Sequence, residues 1–323
     1  MSGLPTGAGV LLMTYGSPDS LDAGDVAAYL ARVRGGRAPE PDLVTEFTRR
    51  YRVIGGSPLI EITQRQAAAL SARLGRPVEV GMRFSEPSIE TGLRALAAAG
   101  TSDVVAIVLS PQYSPLLMGG YARSIHAARA SIGPAAPDVV VAGEWWEEPA
   151  FVRALAERVR SSLGGLSHGE RDSLTVLFTA HSLPLRVAEQ EPGYIGQLRG
   201  TAEAVARAAG LRPDDWQFCW QSAGHEPGAW MTPDLADLVV ELAAAGRKSI
   251  LVAPVQFLAD HLEVLFDIDI GAREQAESRG VRFRRIESLN ADPDLIEALA
   301  AVAAATLDGR LPEKTLAAAT GTL

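Results

Sequence analysis

One cysteine, Cys219, occurs in 323 residues, so no disulfide can form within the chain. Nor can a cluster held by several thiolates be built from it. Its setting, the apolar run Trp216-Gln217-Phe218-Cys219-Trp220, makes it a small buried hydrophobe on a strand and fits a reducing compartment. No apolar run approaches the ~18–20 residues that cross a bilayer. The stretch Met1 to Gly9 lacks the positive region of a signal peptide, and Val10 to Met13 is too short for its apolar core. Positive charge is in deficit too: 30 Lys and Arg against 39 Asp and Glu leave a net charge of −9. That balance excludes the basic footprint of a nucleic-acid binder and repels an anionic ligand unless positive charge is gathered locally. A soluble, cytoplasmic chain is expected, with no integral membrane association and no nucleic-acid partner.

What is present is ordinary for a globular protein, 47% hydrophobic and 21% charged residues, at a length that suggests two domains. Positive charge does gather in one place. Arg32, Arg34, Arg37, Arg49, Arg50 and Arg52 face only Glu40, Asp42 and Glu46 in the same stretch. A solvated basic face accounts for any one of these arginines; a rim for carboxylates would use the whole group, because guanidinium forks match carboxylate geometry.

Short strand-like runs alternate with Ala-rich helical patterns. Val10–Thr14, Val78–Arg83, Val104–Leu109 and Val139–Ala142 fall in the first half; Leu174–Thr179, Gln217–Trp220, Ile250–Ala253 and Val281–Ile286 fall in the second. Alternation of this kind predicts an α/β protein of two Rossmann-like domains, each with a four-stranded parallel sheet flanked by helices. The break is placed in the glycine-rich stretch Gly164–Gly169, giving domains 1–163 and 164–309 and a loosely ordered tail over 310–323. Asp292 and Pro293 start a helix to Leu307 that is expected to pack back on the first half.

The chemistry-bearing residues cluster after strands, where open α/β sheets bind ligands, and the loops of both halves are expected to face one cleft. His181 follows a buried run directly, in Thr179-Ala180-His181-Ser182-Leu183-Pro184. A second segment, Gln256-Phe257-Leu258-Ala259-Asp260-His261-Leu262-Glu263, follows another. Of the remaining histidines, His126 reads as a helix surface residue, His168 as solvated and His225 as a turn residue with access to a ligand. Asp260, Glu263 and Asp267 would share one face of a helix, either a solvated acidic face or a metal-handling one; His261 then makes a structural hydrogen bond. Imidazole with carboxylates suits a divalent metal of intermediate softness, held weakly rather than stored, since the spacing of tight sites is missing.

Six motifs in order resemble those of bacterial ferrochelatases: Met13–Pro18, Arg34–Pro41, Arg50–Leu59, Thr179–Pro184, Trp220–Ser222 and Ala259–Glu263. The resemblance covers nearly the whole chain and implies insertion of Fe²⁺ as a substrate into a porphyrin bound in the cleft. It implies catalytic roles for His181 and Glu263, metal contacts for His181, Glu263 and Asp267, and substrate contacts for Tyr15, Arg34, Arg50, Ser57 and Tyr121. Three departures stand out. Gly271 replaces the third member of the acidic row, Arg83 is followed by Phe84 rather than histidine, and no apolar lip or cysteine-bound cluster has a counterpart.

The mechanism this implies is a bent macrocycle whose pyrrole protons pass to His181, with Glu263 stabilising the imidazolium or passing proton or metal onward. Tyr15, matching the branch that makes coproheme, would ligate or shield the iron. Its four propionates make coproporphyrin III the expected substrate for an arginine rim. Protoporphyrin IX, a cobalt or nickel sirohydrochlorin-type chelatase and a non-catalytic haem carrier are the alternatives. No tightly bound cofactor and no iron–sulfur cluster are expected, the chain is expected to act as a monomer, and a coproheme decarboxylase is a family-level expectation for the next enzyme.

Overall fold

Each of the apolar runs forms a strand, and the polar stretches between them form the helices that cover the two sheets. The computed structural model describes residues 4–224, 228–309 and the backbone of 313–314. The chain divides into two compact units, residues 1–145 with 290–323, and residues 146–289.

The first unit contains β1 (Ala8–Thr14), α1 (Ala23–Val33), α2 (Pro41–Val53), α3 (Leu59–Leu74), β2 (Val78–Met82), α4 (Ile89–Ala98), β3 (Asp103–Val108), α5 (Pro115–Ile132) and β4 (Asp138–Ala142). Its strands run parallel in the order β2-β1-β3-β4, with Val10 opposite Val78 on one side and Val105 on the other. β1 is buried from Ala8 to Met13, as a central parallel strand covered on both faces must be. Each large aliphatic side chain so buried contributes about 1.5–3 kcal/mol. Helix starts follow local chemistry: Ser88 accepts from the Thr91 N–H at 3.2 Å ahead of α4, and Ser114 from the Leu117 N–H at 3.1 Å with Pro115 opening α5.

The second unit contains α6 (Pro149–Leu163), α7 (His168–Asp172), β5 (Leu174–His181), α8 (Leu185–Ala188), α9 (Pro192–Ala209), β6 (Trp216–Gln221), α10 (Leu235–Ala244), β7 (Ser249–Pro254), a π-helix (Glu263–Ala272), α11 (Arg273–Glu277) and β8 (Arg282–Arg285). All four strands are parallel in the order β6-β5-β7-β8. The chain then returns to the first unit, where α12 (Pro293–Leu307) packs on α3, β3 and β4.

Two details differ from the sequence-based expectation. The division falls between Trp145 and Trp146, so α6 belongs to the second unit, where it packs on α9. The glycine-rich stretch after it is a turn within that unit, closed by a capping box in which Ser167 and Glu170 satisfy each other's backbone N–H. In the expected tail, β9 (Glu313–Lys314) pairs antiparallel with β4, which adds a two-residue fifth strand to the first sheet. Residues 310–312 and 315–323, also assigned to that tail, lie outside the described residues.

Close packing of α4 on the first sheet depends on Gly92. A Cβ there would lie 2.5 Å from the Val80 carbonyl oxygen and 2.7 Å from Leu11 Cδ1. Gly92→Ala is expected to cost about 1–3 kcal/mol through overpacking, read as a lower urea midpoint. An unchanged midpoint would mean that α4 can lift off the sheet without loss.

Candidate functional site

In the second unit the chemistry sits at the carboxyl ends of the strands. β5 ends in His181, β6 in Gln221 with Ser222 next, β7 leads into the 255–262 loop and Glu263, and β8 ends in Arg285. His181 is fixed by neighbours on both sides. Its backbone N–H donates to Gln256 Oε1 at 2.8 Å, and Gln256 Nε2 donates to the Tyr194 hydroxyl at 2.7 Å. Its ring Nδ1 lies 2.5 Å from the Ser182 carbonyl oxygen. A carbonyl can only accept, so Nδ1 carries the hydrogen and Nε2 is the nitrogen that exchanges protons.

The same logic applies to His261, whose Nδ1 lies 2.9 Å from the Ala259 carbonyl oxygen. Both imidazoles therefore present Nε2 to one atom. Glu263 Oε2 is 3.7 Å from His181 Nε2 and 3.8 Å from His261 Nε2, beyond hydrogen-bond reach of either. It is buried without a hydrogen-bond partner among the described residues. The Phe257 ring stands edge-on beside both histidines, its centroid 4.4 Å from that of His261 and 6.5 Å from that of His181.

Two opposing effects set the electrostatics. Burial pulls the His261 pKa down, but the Glu263 carboxylate outweighs it and the net shift is upward from 6.5. Burial likewise pushes Glu263 up, and the two imidazoles, His181 foremost, bring its pKa below 4.5. The sign follows directly. The imidazolium contribution is present below pH 6.5 and is lost as pH rises through the higher folded value. The carboxylate contribution is present above pH 4.5 and is lost as pH falls through the lower one.

The expected row of three carboxylates is not one face. The π-helix starts at Glu263, so Asp260 lies before it and turns to Ser288, whose hydroxyl donates at 2.7 Å, and to Arg285 at 3.3 Å. Asp267 accepts from the Ser222 hydroxyl at 2.6 Å. Ser222 holds a positive φ of 56°, a strained conformation for a residue with a side chain, costing of order 1–3 kcal/mol. His225 lies outside the described residues.

In the first unit Tyr15 follows β1 and is 45% exposed. Gly16 next to it has φ 97°, and a Cβ there would meet Ser85 Oγ at 2.1 Å. Phe84 stands edge-on to the Tyr15 ring at 4.8 Å. The Arg83 guanidinium lies over the rings of Phe84 at 4.6 Å and Tyr121 at 5.4 Å, in a slot that a side chain on Gly120 would fill. Tyr121, expected on the substrate side, is instead part of the core of the first sheet; burial holds its phenol well above the usual range.

The arginine group is partly spent internally. Arg49 and Arg50 each bond Glu46 at 2.8 Å, which brings that carboxyl down to about 2. Arg32 donates to the Phe84 carbonyl oxygen and Arg37 to that of Arg34. Arg34 is exposed at the end of α1, Arg52 is exposed on α2 beside the exposed Val53, and neither has an ion pair among the described residues. Ser57 Oγ accepts from the Leu59 N–H at 3.4 Å, opening α3.

Sequence reasoning placed His181 and Glu263 correctly after their strands, but it could not pair His261 with Glu263, because residues two apart face apart on an α-helix. Here His261 precedes the helix. Gln256 carried a weak signal, a polar residue directly after a buried strand. Tyr194, Ser222, Arg285 and Ser288 carried none.

A sequence model of the ferrochelatase family matches residues 7–307. The chain is 39% identical over 300 residues to a ferrochelatase of Deinococcus radiodurans, covering 91% of this chain and 94% of that protein. It is 37% identical over 303 residues to a coproporphyrin III ferrochelatase of Geobacillus thermodenitrificans, covering 91% and 94%. Among solved structures, SirB from Bacillus subtilis with Fe³⁺ superposes with a TM-score of 0.57 at 14% identity, over 94% of this chain and 96% of that one, a likeness of fold. The two parallel sheets flanked by helices are of this chelatase type.

Glu263 is the strongest of the groups that hold the His261 pKa up, ahead of the Ala259 carbonyl and Asp260, so Glu263→Gln removes the main opposition to burial. The His261 midpoint, followed by ¹H–¹³C NMR, is then expected to fall. An unmoved midpoint would show that the carboxylate and the imidazole do not couple.

Proposed function

The chain belongs to the ferrochelatase family of porphyrin metal chelatases, and from that premise we propose that its porphyrin is coproporphyrin III and its product coproheme. Fe²⁺ is the second substrate. The observation that carries the catalytic assignment is Glu263 Oε2, buried without a hydrogen bond and met by His181 Nε2 at 3.7 Å. A buried carboxylate oxygen left open toward an imidazole is a place for a proton or a cation. Ligand bonds of about 2.0–2.2 Å from each atom span such a separation.

His181 takes a pyrrole proton on Nε2, since Nδ1 already donates to Ser182. The Glu263 carboxylate stabilises the imidazolium and receives the metal as its water shell is shed. Asp267, spaced four residues along the π-helix, hands the cation toward Glu263. Where the family's third acidic position falls, Gly271 offers no ligand, so Asp267 is the outermost carboxylate of the row.

Substrate choice rests on the first unit. Arg34 and Arg52 are exposed and make no ion pair among the described residues, so they are offered to carboxylates, and relatives such as that of Geobacillus thermodenitrificans are named for coproporphyrin III. Arg50 bonds Glu46, and Ser57 opens α3; both are proposed to contact the porphyrin alongside these arginines. The exposed Tyr15 phenol, seated by Phe84, is the group offered to the iron. Tyr121 acts indirectly, as the floor under Arg83.

Anaerobic incubation with Fe²⁺ and either porphyrin, followed by loss of porphyrin fluorescence, tests the reading. Coproporphyrin III is expected to be metallated at least about tenfold more efficiently, a difference of ~1.4 kcal/mol. A preference for protoporphyrin IX would overturn the substrate assignment and leave the chelatase. His181→Ala is expected to lower turnover by about 10²–10⁴-fold, the usual worth of a positioned acid–base group, with porphyrin affinity retained. Near-normal turnover would remove His181 from its role.

A further inference from the structure

We propose that Arg285 is the positioning residue of Glu263, an inference that rests on the metal-handling role proposed for that carboxylate. The puzzle is how Glu263 is held at all. Its Oε2 has no hydrogen bond among the described residues, and both imidazoles stand beyond hydrogen-bond distance. The place of such a carboxylate is set by its backbone, so whatever pins the chain on either side of residue 263 decides where it points.

One guanidinium does this on both sides. Arg285 ends β8, the strand beside β7, whose loop carries Glu263. Its side chain is 12% exposed and every nitrogen is engaged. Nε donates to Asp269 Oδ1 and Nη2 to Asp269 Oδ2, both at 2.8 Å, a two-point fork. The same Nη2 lies 3.3 Å from Asp260 Oδ1. Nη1 donates to the Ile286 carbonyl oxygen at 2.8 Å and to Ser288 Oγ at 3.1 Å, and Ser288 Oγ in turn donates to Asp260 Oδ1 at 2.7 Å. Asp260 precedes the π-helix and Asp269 lies within it, so the two carboxylates flank Glu263 in the chain.

A planar, five-donor fork can bridge two carboxylates on separate segments, and an ammonium cannot reproduce that geometry. Arg273 provides the internal comparison. It reaches Asp269 Oδ1 only at 4.0 Å, is 40% exposed, and otherwise pairs with Glu277 and donates from Nε to the Asp269 backbone carbonyl at 2.9 Å.

The test compares Arg285→Lys and Asp260→Asn with Arg273→Ala, using Fe²⁺ and whichever porphyrin the wild type metallates faster. Arg285→Lys is expected to lower kcat/KM for Fe²⁺ by about 10–100-fold, as for a residue that orients a metal ligand. Its porphyrin Kd should stay at the wild-type value and it should remain folded at the assay temperature, although its melting temperature falls because Asp260 and Asp269 lose part of their pairing; Arg273→Ala should keep full activity. In a Glu263→Gln background the same change should add less than about twofold, because coupled residues are not additive. Wild-type kcat/KM in folded Arg285→Lys, an equal loss in Arg273→Ala, or a loss that multiplies in full with Glu263→Gln would each overturn the proposal. Should Arg285→Lys fail to fold, Asp260→Asn, which spares the Asp269 fork, carries the same expectation and the same refutation. Full activity in Glu263→Gln alone would sink the role of Glu263 itself, whereas its loss beside an active Arg285→Lys would sink only the positioning role.

Discussion

A strand buried on both faces of a parallel sheet can hold no unpaired charge along its length, so any ionisable group it places must stand at its end. Parallel pairing then brings all such ends to one edge. In the second unit this constraint brings His181, Ser222 and the Glu263 loop to the ends of β5, β6 and β7, whose interiors hold no charge, while the half-exposed β8 ends at Arg285 on the same edge. In the first unit it puts Tyr15 after β1 and Arg83 after β2, close enough for Phe84 to bond the Tyr15 carbonyl oxygen at 3.0 Å. The sheets thus act as jigs, and the loops carry the chemistry.

Within the second unit the decisive balance is between burial and charge. Desolvation alone would neutralise both His261 and Glu263, yet each is shifted toward its charged form, His261 chiefly by Glu263 and Glu263 by His181 first and His261 second. A buried cluster whose charges survive only through one another responds strongly to a further charge. That responsiveness is what a site needs when a divalent cation arrives and protons leave.

The strands were legible because their signal is local. The runs at Val10–Thr14 and Leu174–Thr179 correspond to β1 and β5 with ends shifted by two residues, and both histidine-bearing loops were visible as polar residues that follow buried ones. The division at Trp145 was not legible, since a glycine-rich turn inside a unit and a linker between units share the same composition. The burial of Tyr121, which the resemblance implies as a substrate contact, was not legible, because an aromatic in a helix gives no sign of which side faces the core; the slot left by Gly120 shows it. The partners of Asp260 and Asp269 were invisible for a different reason. Arg285 sits in a basic run, Arg282-Phe283-Arg284-Arg285, and nothing in that run tells an inward guanidinium from an outward one.

Both histidines give their Nδ1 hydrogen to a carbonyl of their own loop, at Ser182 and at Ala259. Each ring is therefore one-sided: a proton that lands on Nε2 cannot be passed out through the far nitrogen without breaking that bond. The pair is consequently a terminus and not a wire. Under the proposed mechanism, a proton taken from a macrocycle onto Nε2 would leave the way it came or through the Glu263 carboxylate.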